Sequence, residues 1–310
     1  MTAAERLESS VGLAHFGLAK PFVKWVGGKG QLIPQIAPHL HRQIARAPIT
    51  RYIEPFVGGG AMLFYVLSNC PQLEEVIIND INPRLVACYR TVREQPEELI
   101  DVLAEYQADY YRLTSEEARR DYYLGARTRF NAGTYTQVEG AALFILINRL
   151  CFNGLYRVNR KGEYNVPFGK ALRPTICDAQ TLRSDSALLA RTEILCGDYT
   201  EALASADEYT LVYFDPPYKP LNATSSFNSY SKEEFGDSEQ LRLRDHCHTL
   251  DGRGASFILS NSDAYTPEGE SYFDALYADY IVERVWAKRA VNAQADKRGK
   301  IAEVLIRNFD

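Results

Sequence analysis

Val212-Tyr213-Phe214 runs as an apolar strand straight into Asp215-Pro216-Pro217-Tyr218. A carboxylate, two prolines and an aromatic ring at a strand end suit one demanding reaction, the alkylation of an exocyclic amino group on a nucleobase. The lone pair of such a nitrogen is delocalised into the ring and is a poor nucleophile. The Asp215 carboxylate and the Pro216 backbone carbonyl can both accept hydrogen bonds from the amino hydrogens, which favours a pyramidal nitrogen. The prolines remove two backbone donors and fix φ near about −65°, so the carbonyls are held rigidly and kept out of a sheet ladder. Tyr218 offers a face on which a base can stack. The competing reading is a strand ending in a Pro-Pro turn, since Asp and Pro are both common in turns. The rest of the chain weighs against it.

A second group of residues fits a nucleoside ligand. Tyr52 to Val57 reads as a strand, Gly58-Gly59-Gly60 as a turn open to close approach by a ligand, and Met62 to Leu67 as one side of a helix. Val76-Ile77-Ile78-Asn79-Asp80 is the next buried strand. Its closing Asp80 lies about twenty positions beyond Gly60, where doubly wound folds set a carboxylate against ribose hydroxyls. The Gly-x-Gly-x-x-Gly and Gly-Lys-Ser/Thr patterns are both missing, which argues for a nucleoside without a diphosphate. S-adenosylmethionine meets that description: its amino-acid end is zwitterionic, and its adenine needs an edge partner and apolar packing. Lys29, in its glycine loop beside Trp25, is placed to meet the carboxylate. Asp198 is placed to accept from the adenine amino group, with Tyr199 or Phe56 against the ring. Taken singly, Lys29 reads equally well as a solvated lysine and Asp198 as a helix cap; their joint order along the chain favours the ligand.

The elements that must position these residues alternate strand and helix, which implies an α/β fold with a parallel sheet. Glu193 to Asp198, the strand before Asp215, and Ala255 to Asn261 continue the rhythm, and Tyr280 to Trp286 with Ala302 to Arg307 is expected to close it as an antiparallel hairpin. Between the halves, residues 95 to 150 read as mainly helical. Cys151 to Lys170, with Asn153-Gly154, Lys161-Gly162 and Pro167, reads as a turn-rich hairpin. The expected organisation is a flexible leader over 1–19, one domain made of 20–90 and 190–310, and an inserted domain over 91–189.

Composition bounds the partners. At 310 residues the chain has room for one large domain and a smaller insertion. It is 46% hydrophobic and 24% charged, with no apolar run near the roughly 18 residues of a membrane span. The N-terminus lacks the apolar core of a signal peptide, so a cytoplasmic location is expected. Six cysteines without a Cys-x-x-Cys pair suggest neither a zinc site nor a disulfide framework. His246 and His248 flank Cys247, but alternate residues on a helix point apart, so no metal site is expected. A net charge of −5 argues against indiscriminate coating of nucleic acid. Positive charge is nonetheless concentrated from Arg149 to Lys170 and from Arg284 to Lys300.

Together these residues resemble the D12-class adenine-N6 DNA methyltransferases, and within that family the Dam and DpnII-type enzymes. Phe22 to Lys29 is similar to the family's N-terminal cofactor motif, Glu54 to Gly60 to its glycine motif, and Asp215 to Tyr218 to its catalytic motif. Asn148 to Asn159 and Gly162 to Lys170 resemble its DNA-contacting hairpin. The likeness runs from about residue 20 to the C-terminus. It implies a Rossmann-like S-adenosylmethionine-dependent methyltransferase sheet with an inserted helical and hairpin DNA-recognition domain, the motifs following the α order.

By this resemblance Asp215, Pro216, Pro217 and Tyr218 would be catalytic. Trp25, Lys29, Phe56, Gly58, Asp80, Asp198, Tyr199 and Asp215 would contact S-adenosylmethionine. Asn153, Leu155, Arg157, Asn159, Pro167 and Lys170 would meet double-stranded DNA, with GATC the preferred target. Phe227 and Tyr230 would help Tyr218 enclose an adenine rotated out of the duplex. The segments Ala290-Val291-Asn292 and Lys297-Arg298-Gly299-Lys300 look closer to the DpnII branch than to Dam. No membrane partner is implied, and the chain would act near the nucleoid as a monomer or weak dimer. The alternatives are methylation of another amino group, such as cytosine N4 or RNA adenine, and a silent DNA-binding module. Asp215 disfavours cytosine N4, where Ser usually stands, and the intact Asp80 and Asp215 to Tyr218 disfavour a silent module.

Overall fold

The computed structural model describes residues 19–220, 235–288 and 300–310. Most of the leader, Phe227, Tyr230, Ala290-Val291-Asn292 and Lys297-Arg298-Gly299 lie outside the described residues. The fold is mixed α/β. Its strands are β1 (Arg51–Glu54), β2 (Glu75–Asp80), β3 (Thr192–Cys196), β4 (Thr210–Phe214), β5 (Ser256–Ser262), β6 (Ile281–Lys288) and β7 (Lys300–Arg307). They form one seven-stranded sheet in the order β3-β2-β1-β4-β5-β7-β6. β1 runs parallel to β2 and β4, and β4 parallel to β5. The chain therefore builds outward from β1 in one direction and then returns to build from β4 in the other. That reversal creates the crevice at the strand carboxyl ends where open α/β sheets take their ligands.

β6 and β7 pair antiparallel from Ile281 opposite Arg307 to Lys288 opposite Lys300, as expected for Tyr280 to Trp286 with Ala302 to Arg307. β7 also pairs antiparallel with β5, so it lies between β5 and β6. This insertion places Glu303, opposite Ser262 on β5, beside the end of the parallel part of the sheet.

The helices are α1 (Ile33–Arg46), α2 (Ala61–Asn69), α3 (Pro83–Glu94), α4 (Pro96–Arg112), α5 (Glu116–Ala132), α6 (Gln137–Leu150), α7 (Ala179–Leu189), α8 (Tyr199–Ala202), α9 (Asp237–Gly252) and α10 (Tyr272–Leu276). Among the described residues none is long and apolar enough to cross a membrane. The chain divides into two compact units. One holds Gly58–Pro71 and Asn82–Ile194 with the described residues up to Gly28; the other holds Lys29–Val57, Gln72–Ile81 and Leu195 onward.

In the first unit, α6 is buried along nearly its whole length, from Ala141 to Asn148 and at Leu150. Such all-round burial needs partners on every side, and α3, α4 and α5 supply them. Side chains fix where these helices begin. Asn82 caps α3 through Arg84 N and Leu85 N with Pro83 in the first turn, Ser115 caps α5, and Thr136 caps α6.

In the second unit, every residue of β4 and β5 is buried, in keeping with the apolar run of β4 and of Phe257 to Leu259 in β5. One core gathers Ile53, Val212, Phe214, Phe257 and Leu259 of the sheet with Leu243, Cys247 and Leu250 of α9 and with Val304 and Ile306 of β7. Covering both faces leaves the strand ends as the place where polar groups gather.

Candidate active site and recognition surface

At the carboxyl end of β4, in the second unit, Asp215 receives Lys29 Nζ on Oδ1 at 2.8 Å, and the Ser260 hydroxyl of β5 donates to the same oxygen at 3.3 Å. Lys29 is only 4% exposed and comes from the short turn Lys29–Gln31 that opens the way to α1. Burial pushes the Asp215 carboxyl up from its ordinary range, Lys29 opposes that, and Glu303 adds to it. Both contacts fall on Oδ1.

The segment after Asp215 is stapled on several sides. Pro216 is buried and Pro217 exposed. The Pro217 carbonyl accepts from Gln240 Nε2 of α9 at 3.3 Å, Lys219 N donates to Asn261 Oδ1 at 3.1 Å, and the Ser262 hydroxyl donates to the Lys219 carbonyl at 2.5 Å. The Pro216 carbonyl accepts no hydrogen bond among the described residues. Tyr218 is half-buried; its hydroxyl donates to Glu303 Oε2 at 2.5 Å, and Lys29 Nζ stands 4.3 Å from its ring centroid. Behind this group lies Glu54 at the end of β1, 2% exposed, accepting from the Tyr52 hydroxyl at 2.9 Å. Burial holds the Glu54 carboxyl well above the ordinary range.

The ends of β1 and β2 are braced to the segment after β3. Asn79 Nδ2 donates to the carbonyls of Pro55 and Gly197, each at 3.1 Å, Val57 N donates to the Asn79 carbonyl, and Gly197 N to the Asp80 carbonyl. Asp80 is half-buried at this edge, and Phe56 packs on Tyr199 with centroids 5.0 Å apart. Asn79 Oδ1 is buried without a partner among the described residues. A buried acceptor awaiting a donor, a carboxylate for hydroxyl groups and a flat aromatic surface together fit a nucleoside such as that of S-adenosylmethionine.

Asp198 is engaged by the protein itself. It caps α8 through Thr200 N and takes Arg242 of α9 on both oxygens at 2.9 Å. Burial opposes its ionisation, but the hydrogen bonds from Arg242 and Thr200 prevail and hold its pKa at about 2.

In the first unit, Trp25 fills the space beside the glycine turn. A Cβ on Gly58 would stand 2.8 Å from the indole Cδ1, and one on Gly59 2.8 Å from the Trp25 Cβ. On the hairpin side Tyr156 stacks on the indole at 5.6 Å and 22°. The Tyr89 hydroxyl donates to the Gly58 carbonyl at 3.0 Å.

The hairpin is held by two isolated antiparallel bridges, Cys151 with Phe168 and Val158 with Tyr164. Asn153 and Gly154 both adopt left-handed backbone, and a Cβ on Gly154 would meet Lys24 at 2.4 Å. Asn153, Arg157, Pro167 and Lys170 are exposed, while Leu155 and Asn159 are half-buried. Asn159 shapes the turn: its Oδ1 accepts from Lys161 N and Glu163 N, and its Nδ2 donates to Glu163. Arg157 Nε donates to Asn165 Oδ1 at 2.7 Å, and Lys170 pairs with Glu116 at 2.7 Å. Phe152, 51% exposed on the same turn as Asn153, escaped the sequence reading. So did Glu303, whose one signal is a charge interrupting the apolar run of β7, and Arg242, one of two arginines in the polar helix α9.

A Rossmann-like sheet with an Asp-Pro-Pro-Tyr lip at its switch point defines an amino-directed methyltransferase, and the comparisons with known proteins agree. The family described as D12 class N6 adenine-specific DNA methyltransferase matches residues 25–291. The type II methyltransferase M.MjaIII of Methanocaldococcus jannaschii is 45% identical over 94% of this chain and 99% of its own length. The type II methyltransferase M1.LlaDCHI of Lactococcus lactis subsp. cremoris is 38% identical over 94% and 95%, and a DNA adenine methylase of Vibrio cholerae is 32% identical over 92% and 95%. The chain belongs to the D12 class of N6 adenine-specific DNA methyltransferases, and it is an enzyme of that type.

Proposed function

We propose that this enzyme methylates N6 of adenine within GATC in double-stranded DNA, using S-adenosylmethionine and acting on a base rotated out of the helix. The observation that carries the reading is the Asp215 site: a rigid carboxylate with one oxygen fixed by Lys29 and Ser260, followed by the Pro216 carbonyl and the Tyr218 ring. Bound S-adenosylmethionine supplies a methyl group on a sulfonium sulfur that leaves as a neutral thioether. Asp215 Oδ2 and the Pro216 carbonyl accept the two amino hydrogens and draw the N6 lone pair out of conjugation. As N6 forms its bond to carbon it sheds one proton, for which Asp215 is the placed acceptor. Tyr218 carries the base on its ring face, and orientation provides much of the rate.

Asp80, Phe56 and Asn79 would hold the nucleoside of the donor. Tyr199 backs Phe56, and Asp198 acts through Arg242 to fix that wall. Rotating a base out of a duplex costs a few kcal/mol. The exposed Phe152 ring is of the kind that enters a base step and lowers that cost. Recognition is assigned to residues 91–189, through Asn153, Leu155, Arg157, Pro167 and Lys170, with Asn159 shaping the turn that carries them.

The test is labelled methyl transfer to a duplex holding one GATC and to duplexes changed at each flanking base. Transfer to the first and a loss of roughly 5- to 150-fold for each change are expected. Equal transfer to all of them would refute the GATC assignment.

A further inference from the structure

Glu303 reaches the site from β7, 85 residues beyond Tyr218 in sequence. Lys29 Nζ lies 2.8 Å from Asp215 Oδ1 and 4.0 Å from Glu303 Oε2. That same Oε2 accepts the Tyr218 hydroxyl at 2.5 Å, and the Lys29 ammonium rests over the Tyr218 ring at 4.3 Å. One buried ammonium thus faces two carboxylates, and the phenol occupies one of them. An ammonium between two equal carboxylates has no reason to favour either; a strong hydrogen bond into Glu303 withdraws part of its charge and turns Lys29 toward Asp215. The hydroxyl is fixed by the same bond, so the ring has a single orientation.

We infer that Glu303 is a positioning residue for methyl transfer, acting through the Tyr218 hydroxyl to set the plane on which the adenine stacks and to reserve Lys29 for Asp215. This rests on the reading of Asp215 and Tyr218 given above. The groups that face Asp215 are Lys29 from its turn, Glu303 from β7, Glu54 from β1, Tyr213 from β4, Ser260 from β5 and Tyr218. Among these, burial and the Glu303 charge raise the Asp215 carboxyl while Lys29 lowers it. Replacing the Glu303 charge by a neutral acceptor therefore makes Asp215 easier to ionise.

The experiment compares Glu303→Gln, Glu303→Ala, Tyr218→Phe and the Glu303→Ala/Tyr218→Phe pair by kcat at saturating DNA and S-adenosylmethionine across pH, with Asp215→Asn as reference. Glu303→Gln keeps an acceptor for the hydroxyl. It should hold kcat within about threefold at neutral pH and move the acid limb of the profile to lower pH. Glu303→Ala and Tyr218→Phe should each lose on the order of 10- to 100-fold in kcat, and the pair should lose no more than either alone. Wild-type kcat in Glu303→Ala, multiplying losses in the pair, or an unmoved acid limb in Glu303→Gln would each overturn the inference. An active Asp215→Asn would instead overturn the reading of the site on which it rests.

Discussion

Asn148→Ala removes a tie that neither sequence motif displays alone. Asn148, 2% exposed near the end of α6, accepts from Lys24 N at 2.8 Å, donates to the Lys24 carbonyl at 2.9 Å and donates to the Gly154 carbonyl at 3.1 Å. One amide thus grips the residue before Trp25 on both sides and also holds the turn that presents Asn153. The two Lys24 bonds are partly buried, and each contributes about 0.5 to 1.5 kcal/mol net, since water can replace the lost partner. The Gly154 carbonyl is buried, and losing its donor costs about 1 to 3 kcal/mol. Allowing for relaxation, the variant should lose about 2 to 4 kcal/mol, read from urea unfolding as a lower midpoint at unchanged slope. Affinities for S-adenosylmethionine and for DNA should both fall, because Trp25 and Asn153 lose the same anchor. Asn148→Asp should be worse than alanine, as it turns a carboxylate toward two carbonyl oxygens. Stability within about 0.5 kcal/mol of wild type, together with unchanged affinities, would refute this reasoning.

Gly58→Ala forces a Cβ to 2.8 Å from the Trp25 indole at a backbone φ of 48°. Strain of about 1 to 3 kcal/mol should weaken S-adenosylmethionine binding roughly 5- to 150-fold and shift the tryptophan emission. Asp185 is fully buried on α7, accepts from Lys20 N at 3.1 Å, and has its carboxyl pushed up to about 8 by burial. The unfolded chain releases this proton at its ordinary carboxylate pKa while the folded chain retains it, so stability falls as pH rises through that window to about 8. Asp185→Asn keeps an acceptor for Lys20 N and should flatten that slope, leaving the variant more stable than wild type by over about 1 kcal/mol at the upper end. Thermal melts across pH check the sign. Arg157→Ala should lose about 1 to 3 kcal/mol of discrimination at one base pair if the guanidinium reads a guanine edge. A loss equal across all duplexes would assign it to phosphate.

The parallel strands and the terminal hairpin are legible in the sequence because each is a local pattern: Val76 to Asp80 and Val212 to Phe214 as apolar runs, Ile281 to Lys288 and Lys300 to Arg307 as pairing segments. The insertion of β7 beside β5 is not legible, because nothing within β7 encodes which strand its second edge will meet. Glu303 was hidden for that reason: it meets Tyr218 across 85 residues, and only the β5 and β7 register brings them together. Asp198 shows the same limit in another form. Its cap on α8 is readable locally, whereas its pairing with Arg242, 44 residues on, needs α9 folded against the sheet. Asn148 sits in a motif that reads as DNA-contacting, yet its amide is directed inward to Lys24.

Methyl transfer by Asp215→Ala decides whether the carboxylate at the end of β4 is required for the reaction. Duplex DNA is incubated with labelled S-adenosylmethionine and either wild-type or variant enzyme, then digested to nucleosides and separated. Label is expected in N6-methyl-2′-deoxyadenosine with wild type and is expected to be lost with the variant, while the variant still binds the duplex. Label in a methylated deoxycytidine, or undiminished N6-methyl-2′-deoxyadenosine from the variant, would contradict this.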